Sequence, residues 1–116
     1  MKYTPTANSY FAGAAGMDLG MIRAGIEVKQ SLDLDPDAIE VLNLNRAHFP
    51  TSHKVLHRDI KDITVLSQDG SDIIIGTYPC TKYSAIADIH GTRTGDDLFL
   101  HFFRHVALHS PEAYVV

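Results

Sequence analysis

A single cysteine in 116 residues, Cys80, has no partner for an internal disulfide and cannot supply a thiolate-rich zinc site. A reducing cytoplasm is the expected setting. No apolar run approaches the roughly 18 residues of a membrane span. The N-terminal "MKYTPTANSY" lacks an apolar signal core, which argues against secretion. Basic charge is scarce as well: 10 Lys and Arg stand against 14 Asp and Glu, for a formal net charge of −4. That balance offers no general attraction to nucleic acid or anionic membrane, so a nucleic-acid partner needs local basic groups or a basic surface outside this chain. Internal repeats and low-complexity segments are absent. What is present, 45% hydrophobic residues, is enough for one domain with a core.

Along the chain, Ser9 to Ala12 reads as a short strand opening into "FAGAAGMDLG". Met17, Leu19, Met21, Ile22 and Ala24 are spaced for a short helix from Asp18 to Ala24, stopped by Gly25, with Asp18 read as its cap. "IEVKQSLDLD" alternates at period two, as a strand does. Asp35 is an acceptable N-cap before Pro36, and Ala38, Ile39, Val41, Leu42 and Leu44 give a second helix a broad apolar face. "HKVLHRDI" predicts a brief third strand, and Asp59 to Ile63 a turn into a short helical piece. "SDIIIG" is a β-branched run of the kind buried on both faces of a parallel sheet. A polar loop follows from Thr77 to Gly95, then a helix from Asp96 to His109 ended by Pro111, and "EAYVV" as a further buried strand. Strands and helices in this order predict an α/β domain with a mostly parallel sheet flanked by helices.

Two features carry chemistry. In "FAGAAGMDLG" a strand feeds a Gly-rich turn that opens a helix, the place where open α/β sheets bind ligands. Gly13 and Gly16 permit unusual backbone angles and close approach of a ligand. Phe11 occupies the first glycine position of a dinucleotide fingerprint, and the Lys-Ser/Thr of a P-loop is missing, so phosphates are not the expected ligand. Asp33 lies 20 residues beyond Gly13, where an acid reaches ribose hydroxyls in such folds. A ligand with adenosine and no phosphate, such as S-adenosylmethionine, satisfies both features; a tight turn plus a surface aspartate also accounts for them. Cys80 is the second feature. It follows a strand and sits in a turn set by Gly76 and Pro79, with Lys82 two residues on to favour the thiolate. A lone cysteine is often just a small buried apolar residue, but the polar loop argues against simple burial here.

Together these segments resemble the DNA (cytosine-5) methyltransferase family. "FAGAAGMDLGMIRAG" is similar to the family's F-x-G-x-G-G motif and following helix: Phe11, Gly13 and Gly16 match, while Ala15 replaces a glycine. "DLDPDA" resembles the segment with the ribose-binding acid, Asp33 standing where Glu is usual. "HRDI" resembles a short third motif, whose acid is Asp59 here and contacts the adenine side of the cofactor. "GTYPCTKYS" resembles the nucleophile motif G-G-P-P-C-Q-x-F-S: Gly76, Pro79, Cys80 and Ser84 match, Tyr83 stands in for Phe, and Thr77, Tyr78 and Thr81 depart from it. "TGDDLFLHFFRHVALHSPEAYVV" resembles a fifth motif, in which Leu98 touches the cofactor.

The resemblance implies a Rossmann-like methyltransferase fold, S-adenosyl-L-methionine as cofactor and DNA as partner. It implies cofactor contacts at Phe11, Gly13, Gly16, Asp33, Asp59 and Leu98 and substrate contacts at Pro79 and Ser84; Lys82, His90 and Arg93 in the polar loop are either phosphate contacts or solvated loop charges. The Cys80 thiolate would add to carbon-6 of a cytosine flipped from the duplex, making carbon-5 nucleophilic. In the family the strand ending "YVV" continues into E-N-V, an R-x-R motif, a target recognition domain and a final segment that returns to the cofactor pocket. Residues 1–116 are therefore expected to be the N-terminal part of a catalytic domain, truncated on its C-terminal side, inactive alone and a weak binder of cofactor. An RNA (tRNA) cytosine-5 methyltransferase and a non-catalytic relative used for binding or regulation are the alternatives. His101, His105 and His109 share one stripe on the polar side of the last helix, with Arg104, but no acid or cysteine completes a metal set, and none is expected.

Overall fold

The computed structural model describes residues 3–63, 70–78 and 98–116. Within them five strands form one parallel sheet: β1 (Thr6–Tyr10), β2 (Glu27–Asp33), β3 (Lys54–His57), β4 (Ile73–Gly76) and β5 (Ala113–Val115). Their spatial order is β3-β2-β1-β4-β5. The helices are α1 (Gly16–Arg23), α2 (Pro36–Leu44) and α3 (Leu98–His109), with 3-10 turns at Arg46–His48 and Ile60–Asp62. This is the α/β architecture that the sequence predicts.

Helices cover both faces. On one, Phe102 of α3 packs with Tyr10, Leu32 and Ile74, and with Ile60 and Ile63 at the 3-10 turn. On the other, Leu19 and Ile22 of α1 and Leu42 of α2 surround Ala12, Ala15 and Phe49. Leu42, Ile74 and Phe102 are fully buried, and each such side chain contributes about 1.5–3 kcal/mol. Asp35 caps α2 as its sequence suggests, accepting a hydrogen bond from the Asp37 N–H at 2.9 Å.

Two boundaries and the burial of one strand differ from expectation. β1 begins at Thr6 and ends at Tyr10, because Phe11 turns to φ 56° and takes Ala12 out of the strand to donate its N–H to the Leu32 carbonyl. α1 starts at Gly16, two residues ahead of Asp18. β5 lies at the sheet edge with Tyr114 half exposed, instead of being buried. The loop expected from Thr77 to Gly95 is described only at Thr77 and Tyr78; Asp96 and Asp97, expected to start the last helix, also lie outside the described residues. No helix among the described residues is long and apolar enough to cross a membrane.

The chain runs from β1 outward through β2 to β3, then returns to the other side of β1 to place β4. That reversal separates the loops leaving β1 and β4 and opens a crevice beyond the strands' C-terminal ends, where folds of this kind take their ligands.

Candidate active site

A cleft of about 720 Å³ occupies that crevice. Every described strand except β5 delivers residues to it: Phe11 after β1, Leu32 to Pro36 at the end of β2, Arg58 to Lys61 after β3, and Thr77 after β4. Leu98 closes it from the start of α3. The lining is mainly apolar and carries three carboxylates, Asp33, Asp35 and Asp59, each held by main-chain N–H groups.

Asp33 is fixed by main-chain donors. Its Oδ2 accepts the Gly13 N–H at 2.8 Å and its Oδ1 the Asp35 N–H at 2.8 Å. Its own carbonyl accepts the Arg58 N–H at 3.1 Å, which ties the ends of β2 and β3 together. Gly13 can present its N–H to Asp33 because it adopts φ 56°, in the left-handed region. Asp59 caps the 3-10 turn, accepting the Lys61 N–H at 3.0 Å, and the Lys61 Nζ lies 3.6 Å from its other oxygen. Thr77, a departure from the expected glycine, donates its hydroxyl to the Phe11 carbonyl at 2.6 Å and so joins the loops after β1 and β4. Tyr78, another departure, sets its ring edge-on to Phe11 and Phe99.

Of the six residues predicted to hold a cofactor, Phe11, Asp33, Asp59 and Leu98 line this one cleft. Gly13 acts on it through Asp33. Gly16 opens α1 without a left-handed backbone, contrary to the reading that it supplies unusual angles; those fall on Phe11, Gly13 and Ala15, at φ 56°, 56° and 67°. Cys80, Pro79, Lys82, Ser84, His90 and Arg93 lie outside the described residues.

Two further expectations change. Asp18 does not cap α1; it points inward, fully buried, and accepts hydrogen bonds from Ser9 Oγ at 2.6 Å and Ser31 Oγ at 2.5 Å. The histidine stripe is not a polar face, because His105 is fully buried with its Nδ1 3.2 Å from the Tyr10 hydroxyl. Among the described residues no group of side chains is arranged to hold a metal. Sequence reasoning missed Arg58 and Ile60 as cleft residues, although both sit in the "HRDI" segment it singled out.

A family model for C-5 cytosine-specific DNA methylases matches residues 6–116. The chain belongs to this family. Among curated relatives of the methylase chain, the type II methyltransferase M1.HphI of Haemophilus parahaemolyticus is 34% identical, the match covering 91% of this chain and 30% of the relative. M.AquIA of Picosynechococcus sp. is 32% identical, covering 93% of this chain and 46% of that one. The methylase chain thus spans less than half the length of either. A solved E. coli prophage protein, described as a DNA modification methyltransferase, superposes with a TM-score of 0.70 at 24% identity over 93% of this chain and 30% of its own. The glycopeptide N-methyltransferase MtfA, crystallised with sinefungin, does so with 0.62 at 12% identity over 98% of this chain and 47% of its own. At those identities the likeness is one of fold: a Rossmann-like methyltransferase sheet.

Proposed function

We propose that residues 1–116 form the cofactor-binding part of the catalytic domain of a cytoplasmic enzyme that methylates carbon-5 of cytosine in DNA, with S-adenosylmethionine as donor and Cys80 as nucleophile. The observation that carries this reading is the meeting of Phe11, Asp33, Asp59 and Leu98, distant in sequence, around one cleft at the switch point of the sheet. Family membership and the type II methyltransferase relatives support it, and they extend it to a modification partner for a restriction nuclease.

The cleft suits an adenosine. Its volume falls within the range of about 300–1,000 Å³ usual for ligand pockets. Leu32, Leu34, Ile60 and Phe11 supply apolar surface for a flat base. Each oxygen of Asp33 accepts one main-chain N–H and keeps a lone pair for a ribose hydroxyl. Asp59, braced by its own turn, accepts from the adenine amino group in this reading. When bound, S-adenosylmethionine supplies an electrophilic methyl group on a sulfonium.

Cys80 does the covalent work on the base. Its thiolate adds to carbon-6 of a flipped cytosine and turns carbon-5 into an enamine-like nucleophile; later loss of the carbon-5 proton expels the thiolate. Pro79 and Ser84 belong with the nucleophile loop, and Lys82 and Arg93 meet DNA phosphates. The test is methyl transfer from labelled S-adenosylmethionine by the intact protein that carries this chain, offered DNA and tRNA separately, with Cys80→Ala as control. Label is expected as 5-methylcytosine in DNA and lost in the variant. Label in tRNA alone, or persisting in DNA without the thiol, would refute the proposal.

A further inference from the structure

Two walls of the cleft belong to segments far apart in sequence. The 3-10 turn Ile60–Asp62 and the Asp59 that caps it form one; the start of α3, with Leu98, forms the other. Apolar contacts of Ile60 and Ile63 with Phe102 hold the two together but allow sliding, since such packing is non-directional. A directional link is supplied by one side chain. Arg104, half-buried on α3, donates from Nη1 to the Ile63 carbonyl at 2.7 Å and from Nη2 to the Ile60 carbonyl at 2.8 Å.

The two acceptors bracket the 3-10 turn: the Ile60 carbonyl at its start also accepts the Ile63 N–H at 3.4 Å, and the Ile63 carbonyl lies just past its end. No carboxylate among the described residues pairs with this guanidinium. A half-buried cation without a counter-ion is costly unless its donors are well used. Here two are used on carbonyls three residues apart, a fit for the planar fork of arginine that the point charge of lysine does not reproduce. Leu98 lies six residues before Arg104 on the same helix, roughly 9 Å along its axis, so fixing Arg104 fixes Leu98 relative to Asp59 and Ile60.

On the reading that the cleft takes S-adenosylmethionine, we propose that Arg104 is a positioning residue for the cofactor, setting the separation of Leu98 from Asp59 and Ile60 without touching the ligand. Arg104→Met in the intact protein is expected to raise the cofactor Kd, measured calorimetrically, by about tenfold, and to raise KM for the cofactor with little change in kcat at saturation. Arg104→Lys, which keeps the charge but reaches one carbonyl, is expected to fall between. Amide exchange is expected to quicken at Lys61, Asp62 and Ile63 in both variants. Binding within twofold of wild type in Arg104→Met, at a temperature where the variant is folded, would reduce Arg104 to a packing role and overturn the proposal. Wild-type affinity in Arg104→Lys beside lost affinity in Arg104→Met would assign the effect to charge and overturn it too. Absence of cofactor binding by the wild-type protein is a separate outcome, which removes the cofactor reading itself and this role with it.

Discussion

Asp18 shows how one residue type in one place can mean two things. Ahead of a short helix, an acid reads as a cap; here its carboxylate lies under α1 and is held by hydroxyls from β1 and β2. Ser31 gives its one proton to Asp18, so its oxygen must accept from His53 Nε2, 2.8 Å away, which fixes His53 as the Nε2–H tautomer. Burial raises the Asp18 pKa, and the two serine hydroxyls oppose that rise. Removing one acceptor strands a buried donor. Asp18→Asn, whose amide nitrogen cannot accept from either serine, should therefore lose about 1–3 kcal/mol of stability, read as a lower urea midpoint. An unchanged midpoint would mean that the network is not as described. Nothing in the sequence separated this role from capping, because both serines sit in strands whose pairing is not local.

At the scale of elements, the two glycines that matter do different work. A Cβ built on Gly76 overlaps the Phe102 ring, so α3 can seat on the end of β4 only because that position is bare. At Gly13 nothing lies within reach of a Cβ, and the constraint is the left-handed φ of 56°. Gly13→Ala should cost about 1–2 kcal/mol from backbone strain alone. Gly76→Ala should cost more, about 1–3 kcal/mol or above, because either the helix or the ring must move. Thermal unfolding of the pair checks the ranking; Gly76→Ala as the milder change would contradict the seating of α3. Ala15 holds φ 67° without being glycine, a strain offset by burial of its methyl group between α1 and α2.

At the scale of the whole molecule, two imidazoles buried among the described residues, His53 and His105, oppose folding when protonated. Burial, with a nearby arginine adding to it, pushes the pKa of His53 and of His105 down to about 4 from 6.5. Each is neutral when folded, whereas the unfolded chain takes up the proton near 6.5. Their stabilising contribution is complete above pH 6.5 and is lost as pH falls towards 4, on the order of 1–3 kcal/mol for each. Asp18 acts in the opposite sense, since its raised pKa favours the folded state as pH falls, and it offsets part of the loss. Urea midpoints should therefore decline from pH 6.5 to 4, and His53→Gln should flatten the decline. A midpoint constant across that interval would show that the folded state accepts both protons.

Among the described residues, the sequence by itself determined the element types and their order, because period-two alternation, the Asp35-Pro36 start and the Ile73–Gly76 run are local signals that tertiary contacts did not override. It also marked Phe11, Asp33, Asp59 and Leu98, since the motifs around them survive as short contiguous strings. Tertiary structure alone decided that these four share a cleft, as the strand order that brings them together depends on pairings across the whole chain. It alone decided that Asp18 and His105 face inward, and that Arg104 spans from α3 to the carbonyls of Ile60 and Ile63. Local spacing sets which residues share a strand or helix face. Which face meets which is settled only when apolar surfaces from distant segments are buried against one another.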